Sequence, residues 1–217
     1  MRKLIVLVVL SIMSTSIYSQ SAASAKALLD EVAEKVQTYN NISIEFDHKL
    51  DNSVANVHQQ TRGDITLKGD LYHFSYMGTE QLFDGKKVYL IIHEDEEVII
   101  QKPSATEDNA LTPSKIFSFY KKGFSYKMDE LKTIKGVKIQ YVKLIPIDSK
   151  SDISSILVGI DIRTKHLFNI IETGKNKTTT TLEIRTFKTN QPISNNLFIF
   201  DTVKYKNQKK YTISEPK

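Results

Sequence analysis

The sequence predicts an α+β fold that is mainly β: one long antiparallel sheet with two or three helices laid over its apolar face. Three observations predict it. From Gly63 to Ile92 apolar residues recur at every second position, and Gly69-Asp70, Gly78 and Asp84-Gly85 cut the run. That is the pattern of consecutive strands joined by tight turns. Alternating runs continue through the second half, giving about ten or eleven strands at the spacing expected of a sandwich or barrel. Helical periodicity is confined to two short stretches. Alternating strands build a sheet with one apolar face, and something must cover it.

The first residues read as a leader. Arg2 and Lys3 precede an apolar run from Leu4 to Met13, broken only by Ser11, and Ser14, Thr15, Ser16 and Ser19 follow. A basic start, an apolar middle and a small-residue end describe a cleaved secretory signal peptide over residues 1–19. The run is shorter than the roughly 20 residues that a spanning helix needs. Residues 20–217 are then one mature domain of about 200 residues, a size at which β-rich chains still form single domains. The chain has no cysteine, so no lipidated cysteine follows the leader, and the fold rests on its core without disulfides. The protein is expected to be exported and soluble. Loss of Arg2 and Lys3 lowers the formal charge of +5 to about +3, a mild balance that points to no nucleic-acid partner. The densest basic stretch, Lys204, Lys206, Lys209 and Lys210, reads as a solvated edge strand, with docking to an anionic membrane or acidic partner as the alternative.

Ser24 to Tyr39 is predicted to be a helix. Leu28, Leu29, Val32 and Val36, with Ala25, form one apolar stripe, while Lys26, Asp30, Glu31, Glu34 and Lys35 take the other side. Ser21 or Ser24 can cap its start, and Asn40-Asn41 can end it. Ile42 to Leu50 alternate as a first strand. The acidic turn His93 to Glu96 is read as a solvated hairpin tip without a metal role, because no second histidine stands at ligand spacing. A polar loop from Lys102 to Leu111 leads to Thr112-Pro113, an N-cap followed by a proline at the first helical position. Ile116, Phe117 and Tyr120 form the apolar face of the helix it opens, which ends at Gly123 and serves either as a lid or as a plug of the core. Strands follow around Val137–Pro146, Ile156–Ile162, Leu167–Glu172 and Thr178–Phe187, and Leu197, Phe198 and Phe200 are read as closing the sheet.

No nucleophile elbow, zincin helix or phosphate-binding glycine loop occurs. The five histidines are scattered; His48 and His73 sit in strands, where a hydrogen-bonded structural role is expected. Glu45 and Asp47 share a strand face with Ser43 and Lys49, so a solvated face is expected there and no carboxylate pair. The protein is therefore not expected to be an enzyme, and no cofactor or metal is expected. What the residues do supply is more apolar sheet than two helices can cover tightly. A cavity left between them would take acyl chains, each buried methylene contributing about 0.8 kcal/mol.

The order of elements resembles the periplasmic outer-membrane lipoprotein carrier family, LolA, over nearly the whole mature chain. The marks are the leader without a lipidated cysteine, the helix entering Ile44-Glu45-Phe46, Gly63 to Lys68, and Tyr72-His73-Phe74. Asp84 to Tyr89, Thr112-Pro113, Val142 to Pro146, Ile160 to Thr164 and Phe198-Ile199-Phe200 follow in the same order. The resemblance implies an unclosed β-barrel with a helical lid and a hydrophobic cavity for the acyl chains of lipid-modified proteins. It implies an inner-membrane ABC-type releasing complex and an outer-membrane acceptor as partners, and a monomer in the periplasm. Candidate cavity residues are Leu28, Leu29, Val32, Val36, Phe46, Ile65, Leu67, Phe74, Ile116, Phe117 and Tyr120. One departure concerns the lid: Lys68-Gly69-Asp70 stands where the family commonly has Lys-Arg-Pro, so its arginine has no counterpart. A carrier or sensor of another hydrophobic ligand, a protein-binding module with a filled sheet face, and a lipid hydrolase are the competing readings.

Overall fold

The structure is a computed structural model that describes residues 21–103 and 117–215. Among these residues, twelve strands form one sheet. The first six are β1 (Ile42–Asn52), β2 (Val57–Lys68), β3 (Leu71–Tyr76), β4 (Thr79–Phe83), β5 (Val88–Ile92) and β6 (Glu97–Gln101). The next five are β7 (Phe124–Ile134), β8 (Val137–Pro146), β9 (Ile153–Asp161), β10 (Leu167–Gly174) and β11 (Thr179–Thr189), and β12 (Thr212–Ser214) comes last. Both groups are antiparallel meanders, and pairing of β1 with β11 joins them. β12 lies parallel to β6 at one end of the sheet, and β7 ends the other, so the sheet does not close.

Glycine sets the tight turns. Met77-Gly78 and Lys135-Gly136 each carry two positive φ angles (50° and 73°; 50° and 82°) between directly paired strands. Their twist matches that of the strands they join.

Helix α1 (21–37) lies against the sheet. Its stripe of Ala25, Leu28, Leu29, Val32, Ala33 and Val36 is buried in one core with Ile44, Leu67 and Tyr72 from one side and Val142, Leu144 and Val158 from the other. β3 and β8 stand six places apart in the sheet. On a flat sheet that would be roughly 29 Å, far beyond a helix about 10 Å across. Both can reach α1 because the sheet curls around it, which makes the fold an unclosed barrel. Ser21 and Ser24, expected as caps, lie within the helix, and Ser21 Oγ accepts the Met128 N–H of edge strand β7 at 3.3 Å. Behind the helix, Asn41 bonds both ways with Gln191, fixing the start of β1 to the end of β11.

Three expectations are corrected. β7 was not foreseen: a bulge between Met128 and Leu131 breaks its alternation and leaves Leu131 exposed. Leu197 and Phe198 form no strand but a 3-10 turn (Asn195–Phe198), with Phe198 only 1% exposed. Lys204 to Lys210 is not an edge strand but a π-helical turn (Val203–Gln208). The reason is Tyr205, the one large apolar ring in that run. It packs with Ile91 and Val98 on the outer face of β5 and β6, while Lys204 and Lys209 lie over its ring at 5.4 and 5.0 Å. Phe200 stacks between Tyr89 and Tyr205, and a strap from Asn195 to Ser214 thereby covers a second, smaller core. The polar loop after Pro103 and the helix opened by Thr112-Pro113 lie outside the described residues as far as Ile116; from there Phe117 is buried and Phe119–Lys121 forms a 3-10 turn.

His93 is not a solvated tip. Its Nε2 donates to Glu80 Oε1 at 2.7 Å, its Nδ1 meets the Tyr211 hydroxyl at 3.0 Å, and His73 Nε2 donates to Glu80 Oε2 at 3.0 Å. The His73 bond dominates the carboxyl of Glu80; burial opposes it, the His93 bond adds to it, and the value falls from 4.5 to about 2. A carboxyl depressed on folding contributes stability that is full above its unfolded value and is lost as the pH falls through the folded one. A drop of this size corresponds to on the order of 3 kcal/mol. Glu80→Gln should therefore lower the melting temperature most above about pH 5, with the gap to the parent closing toward about pH 2. Thermal unfolding across that range checks it, and a gap independent of pH would contradict it.

Candidate functional site

The concave face that α1 leaves uncovered holds an open cavity of about 290 Å³. Ile44, Phe46 and His48 from β1, Ile65 from β2, and Phe74 and Tyr76 from β3 form one wall. Leu167 and Ile170 from β10, with Leu182 and Ile184 from β11, form the other, and Phe117 sits across them. These residues share the inner face because the register places them there: Ile44 pairs with Ile65, Ile65 with Phe74, His48 with Leu182, and Leu182 with Ile170. A bulge between Glu45 and Phe46 keeps Phe46 opposite Ile184.

Among the described residues no acid, lysine or arginine lines the cavity. Its polar groups are the side chains of His48 and Tyr76, joined through His48 Nδ1 and the Tyr76 hydroxyl at 2.9 Å. Phe46, Phe74 and Tyr76 lie ring against ring, with centroids 6.0 to 6.3 Å apart. Such a surface can hold hydrocarbon. Among the described residues no group of three or more His, Asp or Glu is placed to hold a metal ion. Glu45 is exposed and accepts a hydrogen bond from Thr186, while Asp47 faces Arg62 and Arg185.

Of the candidates read from the sequence, Phe46, Ile65, Phe74 and Phe117 line this cavity. Leu28, Leu29, Val32, Val36, Leu67 and Tyr120 are buried in the packing between α1 and the sheet. Val36 and Leu67 also edge a smaller pocket of about 190 Å³ at the end of α1, beside Gly69 and Asp70. Ile116 lies outside the described residues. The β10 and β11 wall was missed. Ile170, Leu182 and Ile184 are unremarkable strand positions in sequence, and only the long-range pairing of β11 with β1 brings them opposite Phe46.

Two polar contacts hold the surroundings. Tyr120 donates to Asp30 Oδ1 on α1 at 2.7 Å, and Tyr126 donates to the Tyr120 carbonyl at 2.8 Å, so the turn after Phe117 is tied to helix and sheet. Burial works against ionisation of Asp30, but the hydrogen bonds from Lys26 and Tyr120 outweigh it and hold its carboxyl below the ordinary value. Lys68, next to the position without the family's arginine, donates to Asn195 Oδ1 at 2.7 Å and pins the C-terminal strap to β2.

An open sheet curled around a helix, with an apolar cavity beside it, defines the unclosed-barrel class. The fold is LolA-like. No protein-family model matches the sequence, and no curated protein matches it. Solved structures are similar in shape. An uncharacterised conserved protein of Thermus thermophilus is 8% identical with a TM-score of 0.59, over 89% of this chain and 99% of that one. LprF of Mycobacterium bovis is 11% identical with a TM-score of 0.51, over 80% and 96%. A LolA superfamily protein of Nitrosomonas europaea is 10% identical with a TM-score of 0.42, over 81% and 97%. At such identities the likeness is one of fold.

Gly63 shapes the wall. A Cβ there would stand 2.5 Å from Phe46 Cζ and 2.9 Å from the Ser75 carbonyl oxygen, and the second neighbour is backbone. Gly63→Ala is expected to destabilise the fold by about 1–3 kcal/mol and to push the Phe46 ring into the cavity. Urea unfolding measures the first effect, and loss of apolar-probe uptake the second.

Proposed function

We propose that this chain is an exported, non-enzymatic carrier that shelters the acyl chains of lipid-modified proteins in its open barrel and carries them from inner to outer membrane. The observation that carries this reading is the cavity of about 290 Å³ with no acid, lysine or arginine on its described walls. It is about twice the size of an apolar cavity known to hold benzene, so it suits a stretch of one hydrocarbon chain. Each methylene buried there contributes about 0.8 kcal/mol. In this reading residues 1–19 are a cleaved signal peptide, residues 20–217 work as one monomeric domain in the periplasm, an ABC-type complex loads it and an outer-membrane acceptor unloads it.

A specific observation favours a second reading, a module for a protein partner. Lys204, Lys206, Lys209 and Lys210 form no ion pair with a described carboxylate, and exposed Ile199 and Val203 lie close to them in the chain.

Native mass spectrometry of the protein from its own periplasm separates the two. A bound acylated protein supports the carrier, and a free lipid moves it to another hydrophobic cargo. A clean apo mass with no uptake of added lipopeptide leaves the partner module. A pair of variants tests the cavity itself. Leu182 lines it and is half-buried, whereas Leu67 is only 1% exposed in the packed core. Leu182→Asp should abolish lipopeptide uptake with a small change in melting temperature. Leu67→Asp should unfold the protein. Parallel losses in both would show a plain core.

A further inference from the structure

The cavity has one polar end, and the hydrogen bonds there set which proton it presents. Thr61 Oγ1 donates to the Tyr76 hydroxyl oxygen at 3.2 Å, and that hydroxyl lies 2.9 Å from His48 Nδ1. Accepting from Thr61 leaves the Tyr76 proton available to Nδ1, and in the tautomer that takes it the ring accepts there. A neutral imidazole that accepts at Nδ1 carries its hydrogen on Nε2. Among the described residues Nε2 of His48 has no hydrogen-bond partner, and His48 lines the cavity. The three residues are brought together by pairing: His48 stands opposite Thr61, and Tyr76 pairs with Gly63 two residues along β2.

An otherwise apolar pocket that keeps one oriented, unpaired N–H donor discriminates among chains of equal length. A bare hydrocarbon laid over the donor displaces the water that would bond it and offers no acceptor in return, whereas a chain ending in an oxygen acceptor satisfies it. Resting on the carrier reading, and going beyond it, we propose that His48 is the specificity-determining residue of the cavity. Its Nε2–H receives the carbonyl oxygen of a single acyl chain whose methylenes lie against Phe46, Phe74 and Ile184. The acyl carbonyl has two sources, a free fatty acid and an esterified or amide-linked chain, and the chemistry of recognition is common to both. Tyr76 and Thr61 act as positioning residues that hold the imidazole in its donor form.

The test compares decanoic acid, methyl decanoate and decane binding to the mature protein and to His48→Phe. The variant should lose about fivefold in affinity for the ester, as expected for one hydrogen bond, and nothing for decane. Tyr76→Phe should lose part of the same increment. In the parent, the His48 Nε2 nitrogen resonance should be of the protonated type and should move on addition of ester but not of decane. This readout holds even if His48→Phe does not fold. Loss for acid and ester together supports the assignment, with the tighter-binding probe of the two in the parent identifying the source; loss for the acid alone overturns recognition of an acyl carbonyl. Equal losses for all three probes, or an unprotonated Nε2, overturn it while leaving an apolar carrier intact. Failure of the parent to bind any probe, decane included, overturns the carrier reading itself.

Discussion

The structure depends on a mismatch of area. Twelve strands alternate so that one face is apolar, yet the described residues place a single long helix on that face. The sheet answers by curling until β3 and β8 share one core with α1. Curling saves most of the apolar surface but not all of it. Beyond that packing, Phe46, Phe74 and Ile184 lie side by side on the inner face and line a space that no described side chain fills. The cavity is thus the remainder of the same hydrophobic packing that makes the core. That explains why core and cavity residues are of the same chemical type and alternate along the same strands.

The outer face does different work. On β3 the inward residues Phe74 and Tyr76 meet the cavity, while outward His73 joins Glu80 and His93. The C-terminal strap lays Phe200, Tyr205 and Tyr211 over that outer surface and adds β12 to β6. Beside the β1–β3 wall, strands β5 and β6 are thus covered on their outer face by a second packed layer, with a half-buried carboxylate held between two imidazoles at its margin. The opposite wall, β10 and β11, has no such strap among the described residues.

Much of this was legible in the chain, and what was not has physical reasons. The hairpins from Gly63 to Ile92 were plain, because glycine at positive φ punctuates a strict alternation. The stripe of α1 was plain because Leu28, Leu29, Val32 and Val36 fall on one side. β7 was hidden by its bulge at Met128, which shifts the pattern by one residue. The strap was misread because Tyr205 and Phe200 are anchored by aromatic stacking, which has no period along the sequence. The second cavity wall was out of reach for a further reason. Local pattern says that Ile170 and Leu182 share a face, but which strand they confront follows from a pairing between opposite ends of the domain.

That pairing also dictates an order of events. Ile42 stands in register with both Leu67 and Thr189, the first soon after it in the chain and the second far along it. While the polypeptide emerges, the hairpins of the first meander can form at once, but β1 keeps a bare edge until β11 has been delivered. β6 stays uncovered longer still, since its partner β12 follows β11 in the chain. Long-range pairing of this kind is slow, and unpaired edges attract other chains. The first meander is thus sealed at both its edges by strands made after it, and a chain without β12 would keep its hairpins while leaving an adhesive edge at β6.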